Sequence, residues 1–399
     1  ADEPGTMVVN YRNEPLALRV RNPFTNTQAA GAAGDLSMAF RSIPREDPLL
    51  NVQPTFYPPL TSGIKGTDPF TPLMRFYEND KVQIRILVGG QEEGHNFSVH
   101  GTKWLFEPSD PNSGWRNSQM MGISEHYEFV VPPISVTDPT RPFADHLYMA
   151  GAATDDLWNG LWGIARVYNK PNLEKVFTTA TQSLVVDGTE VDQEDLTLLA
   201  LPNNPAGQTP SDPTLPEPTE DPTGTATESS DPSGAAQAII TPGPVISPTG
   251  FCPSTAPART FNVTAVTAQQ ALLGGTLVYN PRPNNGGPLN DPTAILYVRT
   301  SDLDLQGRLK PGVPIEPLIL RANAGDCITL TLNNKLPATA PDLPGFNTLP
   351  MIVERFNANQ VRPSSHVGLH TQLLAFDVIA NDGANVGFNK VQTAAPGAT

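Results

Sequence analysis

Cysteine is nearly absent: two residues in 399, Cys252 and Cys327, exclude a disulfide scaffold or a cysteine metal site. Basic residues are scarce as well, with 25 Lys and Arg against 40 Asp and Glu and a net charge of −15. Nucleic acids and anionic lipid surfaces need clustered cations, so this balance argues against both as partners. No run of eighteen apolar residues occurs, which predicts no membrane span. The amino terminus, Ala1-Asp2-Glu3-Pro4-Gly5, lacks a basic region followed by an apolar one, so a targeting signal is either absent or already removed. Hydrolytic chemistry has no support either, because neither a Gly-x-Ser-x-Gly elbow nor a His-Glu-x-x-His helix occurs.

What is abundant is punctuation. Forty-three prolines and 32 glycines interrupt the chain too often for long helices, and the expected fold class is all-β. One pattern is written twice. Arg75-x4-Asp80-x-Val82-x-Ile84-x-Ile86 and Arg321-x4-Asp326-x-Ile328-x-Leu330-x-Leu332 each place an acid at a turn before strict apolar alternation. Two copies of one β domain follow from that repetition. In the first copy Val82, Ile84 and Ile86 are expected to face the core, with Lys81, Gln83 and Arg85 facing out.

The first domain, residues 1–170, opens with Met7–Arg12 and Leu16–Val20 as short strands broken at Pro15. Further strands are expected at Met74–Tyr77, Lys81–Val88, Asn96–Trp104, Glu125–Val131, His146–Ala150 and Gly163–Tyr168, a spacing typical of sandwiches. Residues 171–250 read as a linker. Within them 202–250 hold eleven prolines and the recurring Asp212-Pro213-Thr214, Asp221-Pro222-Thr223 and Asp231-Pro232-Ser233, the composition of a stiff, extended strap. The second domain, 251–399, offers strands at Thr260–Val266, Ala294–Val298, Ile328–Leu332 and across His366–Val378. That count is short of a full Greek-key sandwich, so this domain reads as truncated before its last strands. Cys252 opens it and Cys327 lies on its signature strand, compatible with one disulfide in an oxidising compartment. Two sequons, Asn96-Phe97-Ser98 and Asn262-Val263-Thr264, carry little weight.

Each signature is followed by a histidine pair, and imidazole is the commonest protein ligand for copper and zinc. His366 and His370 are four apart, on one face of a regular strand but roughly 13 Å from each other; a bulge or turn at Gly368 shortens that distance. His95 and His100 are five apart and weaker as a pair, since they point to opposite faces of a regular strand. His126 and His146 read as locally packed residues.

At these residues the chain resembles the cupredoxin domains of large bacterial multicopper oxidases, including the manganese-oxidising type. The resemblance is carried by Glu93-Gly94-His95-Asn96-Phe97-Ser98-Val99-His100-Gly101-Thr102-Lys103-Trp104, by Asn117 to Glu125 and by Leu157 to Ile164. Ser365-His366-Val367-Gly368-Leu369-His370, Phe376-Asp377-Val378 and Asn381 to Asn389 are similar to the segment bearing that family's first copper-binding histidines. It implies two cupredoxin-like Greek-key sandwiches, copper as cofactor, and one-electron oxidation of a metal ion or phenol coupled to oxygen reduction. The departures are specific. That family's copper cluster uses eight histidines in four pairs, and this chain has six in all. Where a His-Cys-His segment belongs in the first domain, the chain reads Tyr148-Met149-Ala150-Gly151-Ala152-Ala153-Thr154.

The first domain is therefore expected to be copper-free, with His366 and His370 holding half of a site. The missing ligands would come from the remainder of the same oxidase or from a separate completing chain, in a secreted, extracellular, periplasmic or cell-surface oligomer. No activity is expected of this chain alone. The alternative is a metal-free cupredoxin-like structural or assembly protein, whose open sheet edge accepts a neighbour's strand.

Overall fold

The computed structural model describes residues 19, 36–42, 74–89, 94–138, 141, 143–150, 160–169, 184–186, 189–191, 252–253, 255–280, 288–338 and 364–399. The described residues are mostly strands with almost no helix, and none of their helices is long and apolar enough to cross a membrane. In chain order the first strands are β1 (Met74–Tyr77), β2 (Val82–Leu87), β3 (His95–Val99), β4 (Trp104–Leu105), β5 (Trp115–Arg116) and β6 (Ser118–Met121). They continue with β7 (His126–Val131), β8 (Phe143–Ala150), β9 (Trp162–Tyr168), β10 (Leu184–Val186) and β11 (Thr189–Val191). After residue 252 come β12 (Ala258–Thr267), β13 (Leu277–Asn280), β14 (Leu289–Asp291), β15 (Ile295–Arg299) and β16 (Cys327–Asn334).

Two layers form the first core. One is a five-stranded sheet in the order β1-β9-β8-β3-β6, and the other is the antiparallel β2–β7 pair. Between them Phe97, Val99, Trp104, Phe129 and Tyr148 are buried, with Ile84 and Ile86 packed against them. Alternation along β2 is as the pattern requires: Val82, Ile84 and Ile86 are half-buried, Gln83, Arg85 and Leu87 exposed. Phe97 stacks on Phe129 at 5.8 Å and Trp104 meets Phe129 at 4.7 Å, contacts that each add about 0.5–1.5 kcal/mol beyond area burial.

The repeated acid has the same job twice. Asp80 accepts the Tyr77 N–H at 2.8 Å while its own N–H donates back to the Tyr77 carbonyl. Asp326 accepts the Asn323 N–H at 2.8 Å and donates back to the Asn323 carbonyl. Each is a side-chain-closed turn that sets the register of the strand after it. At the second copy Arg259 of β12 also donates to Asp326, and that bond holds its carboxyl below the usual range. There β16 runs parallel to β12, with β15 antiparallel on the other side. A disulfide joins Cys252 to Cys327 across a Cα separation of 5.5 Å.

Some expected elements differ. Of Leu16–Val20 only Arg19 is described, and it is helical. The strand expected over Asn96–Trp104 ends at Val99, because Gly101 takes a left-handed φ of 70° and turns the chain away. Within 171–250, β10 and β11 form a small hairpin; the proline-rich 202–250 lies outside the described residues, as does Met7–Arg12.

The largest correction is at His366–Val378, which forms no strand beyond one bridge from Val367 to Ala394. The segment from 364 onward instead wraps an edge of the first sheet. When β3 turns off after Val99, the start of β8 loses its neighbour on that side. Asn389 fills the gap: its carboxamide donates to the Asp145 carbonyl at 2.7 Å and accepts the Asp145 N–H at 3.1 Å. Val378 and Ile379 pack with Ala144 and Val167, and Val386 packs with Leu147, Trp162 and Ile164. A buried ion pair locks this junction. Arg166 grips Asp145 through two nitrogens at 2.6 and 3.1 Å, and Asp145 also accepts the Phe388 N–H at 2.7 Å. At its two ends the segment meets the second sheet, where Asn334 donates to the carbonyls of Ser365 and Ala394 at 2.7 and 2.8 Å.

Candidate metal centre

The turn at Gly101 leaves His100 at the end of β3, with its N–H donating to the Leu147 carbonyl of β8 at 2.8 Å. The wrapping segment brings His370 onto it. Their rings stack with centroids 3.9 Å apart and planes inclined by 25°. Between their inner edges sits Asp382, 1% exposed, with Oδ2 3.0 Å from His100 Nδ1 and Oδ1 2.9 Å from His370 Nδ1. The hydrogen-bond acceptor of His370 Nδ1 is the Asp382 carbonyl, also at 2.9 Å, and Oδ1 is a close charged contact without a hydrogen bond of its own.

Close backbone approach makes this geometry. A Cβ on Gly368 would overlap the Gly383 carbonyl, and one on Gly383 would overlap the backbone of Leu369. Two facing glycines thus let the 366–370 segment lie against the Asp382 loop. Gln392 fixes that loop, accepting the N–H groups of Asp382 and Gly383 on Oε1 while its Nε2 donates to the Val378 carbonyl at 2.8 Å.

Electrostatics then select the tautomer. Burial disfavours a charged Asp382, but its contacts with His100 and His370 outweigh it and hold the carboxyl below its usual range. Burial likewise works against a charged His370, and the Asp382 contacts overcome that and raise its pKa above the ordinary value. The carboxylate Oδ2 facing His100 and the carbonyl facing His370 only accept, so Nδ1 of each ring carries its proton whenever the ring is neutral. The Nε2 lone pairs remain for a ligand. This is how carboxylates orient metal-binding histidines.

Both rings line one cavity of about 150 Å³. Its remaining wall is neutral, including Asn96, Ser98, Asn117 and Met149. His100, His370 and Asp382 bring their ligand atoms within 4.8 Å of one another, and imidazole suits copper or zinc, so the residue types present fit the copper that the resemblance implies.

Of the four histidines singled out by sequence, the structure brings His100 and His370 together, each from a different pair. His95 is buried on the core face of β3 with Phe97 and Val99, outside the cluster. His366, half-buried, donates its N–H to Ser364 Oγ at 3.0 Å and is also outside it. His126 is exposed at the start of β7. His146 does more than pack: its Nδ1 lies 2.9 Å from the His100 carbonyl, pinning the backbone of a cluster residue. Burial lowers its pKa, and its Nε2 has no hydrogen-bond partner among the described residues. Asp382 was missed by motif reasoning. Its signal was available as an acid in a Gly- and Asn-rich turn soon after a histidine pair.

No protein-family model matches this sequence, and no curated protein matches it.

Proposed function

We propose that this chain is part of a secreted multicopper oxidase-like protein built from cupredoxin-like domains, in which His100 and His370 hold copper through Nε2. One observation carries this reading: two stacked imidazoles, drawn from regions 270 positions apart, cluster with a buried Asp382 and line one cavity. Bound copper supplies one-electron redox chemistry, here the coupling of substrate oxidation to oxygen reduction. This chain's residues orient and shield: the Asp382 carboxylate takes His100 Nδ1, its carbonyl takes His370 Nδ1, and His146 and Gly101 fix the exit of β3. With six histidines against the eight used by the cluster of the resembled family, the other ligands belong to chain or sequence beyond these residues.

The test is metal content and absorption of the metal-replete full assembly, with oxygen uptake in the presence of a one-electron donor. Stoichiometric copper with a blue or near-ultraviolet charge-transfer band supports the reading. A metal-free assembly that still forms oligomers refutes it in favour of a cupredoxin-like assembly protein, with the Asp382 network as a purely structural clamp.

A further inference from the structure

We propose that the cavity beside the two imidazoles binds a neutral, multiply hydroxylated ring, a sugar of monosaccharide size. The proposal stands on the cavity wall and not on copper, so it goes beyond the metal reading. The cavity floor is the face of the five-stranded sheet opposite buried Phe97 and Val99. On that face Ser98 of β3 lies directly across from Ser118 of β6, and Asn96 stands two residues before Ser98. Asn117 extends the floor, and Thr371 and Gln372 of the wrapping segment complete the polar wall.

None of these six side chains has a hydrogen-bond partner among the described residues. Three carboxamides and three hydroxyls therefore converge on one space with their hydrogen-bonding capacity uncommitted. A carboxamide sets a donor beside an acceptor, and a hydroxyl is both. Neighbouring hydroxyls on a saturated ring also donate and accept, so they match such a wall. Charged ligands do not, because no Lys, Arg, Asp or Glu lines the cavity and an ion would shed water without a partner.

The rim is apolar. Leu373, Leu374 and Phe376 line it, with both leucines about half exposed. Leu373 holds a left-handed φ of 60°, rare for a large side chain and found where a ligand clamp fixes the backbone. Convergent polar groups with an apolar rim are the usual form of a small-molecule site, and the rim here suits the C–H face of a sugar. At about 150 Å³ the cavity seats roughly ten waters, which one ring of that size would displace.

The test is calorimetric titration and saturation-transfer NMR on the metal-free full chain, with glucose, galactose and N-acetylglucosamine as probes. Glucose 6-phosphate, catechol and tetrahydropyran are the charged, aromatic and hydroxyl-free controls. A glycan array separates free sugars from sugars at the end of a chain, and a response in either format supports the proposal. Ser98→Ala/Ser118→Ala removes two wall hydroxyls, and Asn117→Ala, on the bend between β5 and β6, is a second variant outside the strands. Thermal unfolding verifies that each folds. Wild type should bind at least one neutral sugar, and the double variant should lose roughly tenfold or more in affinity, as expected for two hydrogen bonds. No response to any neutral sugar, wild-type affinity in both variants, or a stronger response to a control overturns the proposal. Copper content is measured separately on the metal-replete assembly. Sugar binding without copper, or copper without sugar binding, therefore refutes one reading and leaves the other standing.

Discussion

Substituting Asp382 separates an orienting carboxylate from a bystander. In Asp382→Asn one side-chain oxygen remains and the other position becomes an N–H donor. The oxygen can keep His100, whose side-chain acceptor is Asp382 Oδ2 at 3.0 Å, because His370 bonds to the Asp382 carbonyl at 2.9 Å. The amide variant should therefore retain both tautomers and lose mainly the negative charge. Asp382→Ala removes the carboxylate acceptor of His100 altogether, freeing that ring to rotate or to move its proton to Nε2. Loss of partners behind metal-binding histidines costs about 10–100-fold in affinity. We place Asp382→Asn near the lower end and Asp382→Ala near the upper, roughly 1.4 and 2.7 kcal/mol. Competition titrations with copper measure the affinities, and thermal unfolding of the metal-free proteins verifies that both variants fold. Wild-type copper affinity in Asp382→Ala would refute the view that this carboxylate aims the rings.

Other perturbations probe how the site is built. Gly383→Ala should push the 366–370 segment off the Asp382 loop, lowering copper affinity and exposing backbone amides of 382–389 to hydrogen exchange; unchanged exchange there would contradict the close-packed glycine pair. Arg166→Met leaves Asp145 as an unpaired buried charge and should cost about 3–5 kcal/mol, read as a lowered unfolding midpoint of the first sandwich. Burial pushes the Tyr148 hydroxyl up to about 12, above its ordinary value of 10.0. Folding then favours the protonated form, so this contribution is full below pH 10 and lost as pH rises through the folded value, roughly 3 kcal/mol in all. Phenolate absorbance from Tyr148, isolated by comparison with Tyr148→Phe, should stay silent until about pH 12 or until unfolding. Reducing the Cys252–Cys327 bridge, which closes a loop of 75 residues, should destabilise the β12–β15–β16 sheet by roughly 4 kcal/mol in chemical denaturation.

Legibility in the sequence followed the range of the interactions. Apolar alternation is local, and β2, β7, β9, β12 and β16 fall where Val82, Phe129, Ile164, Val263 and Leu330 predict. The turn acids were legible for the same reason, since Asp80 and Asp326 each bind a backbone group three residues away. The stretch from His366 to Val378 misled because it has apolar residues without a strand partner. Its conformation is decided by Gly383 and Asp382, which lie beyond it in the chain. The site was the least legible part. His100 contacts Asp382 across 282 positions, and nothing in either local pattern encodes that meeting. Pairing neighbours in sequence selected His366 with His370 and His95 with His100, whereas the fold takes one histidine from each pair.

The account turns on whether His100 and His370 share one ion. Anomalous diffraction at the copper absorption edge, from crystals of the metal-replete protein, tests this directly. The prediction is a single strong peak within bonding distance of Nε2 of both His100 and His370. A peak at His366 or His95, or none beside the stacked rings of a copper-saturated crystal, would contradict it.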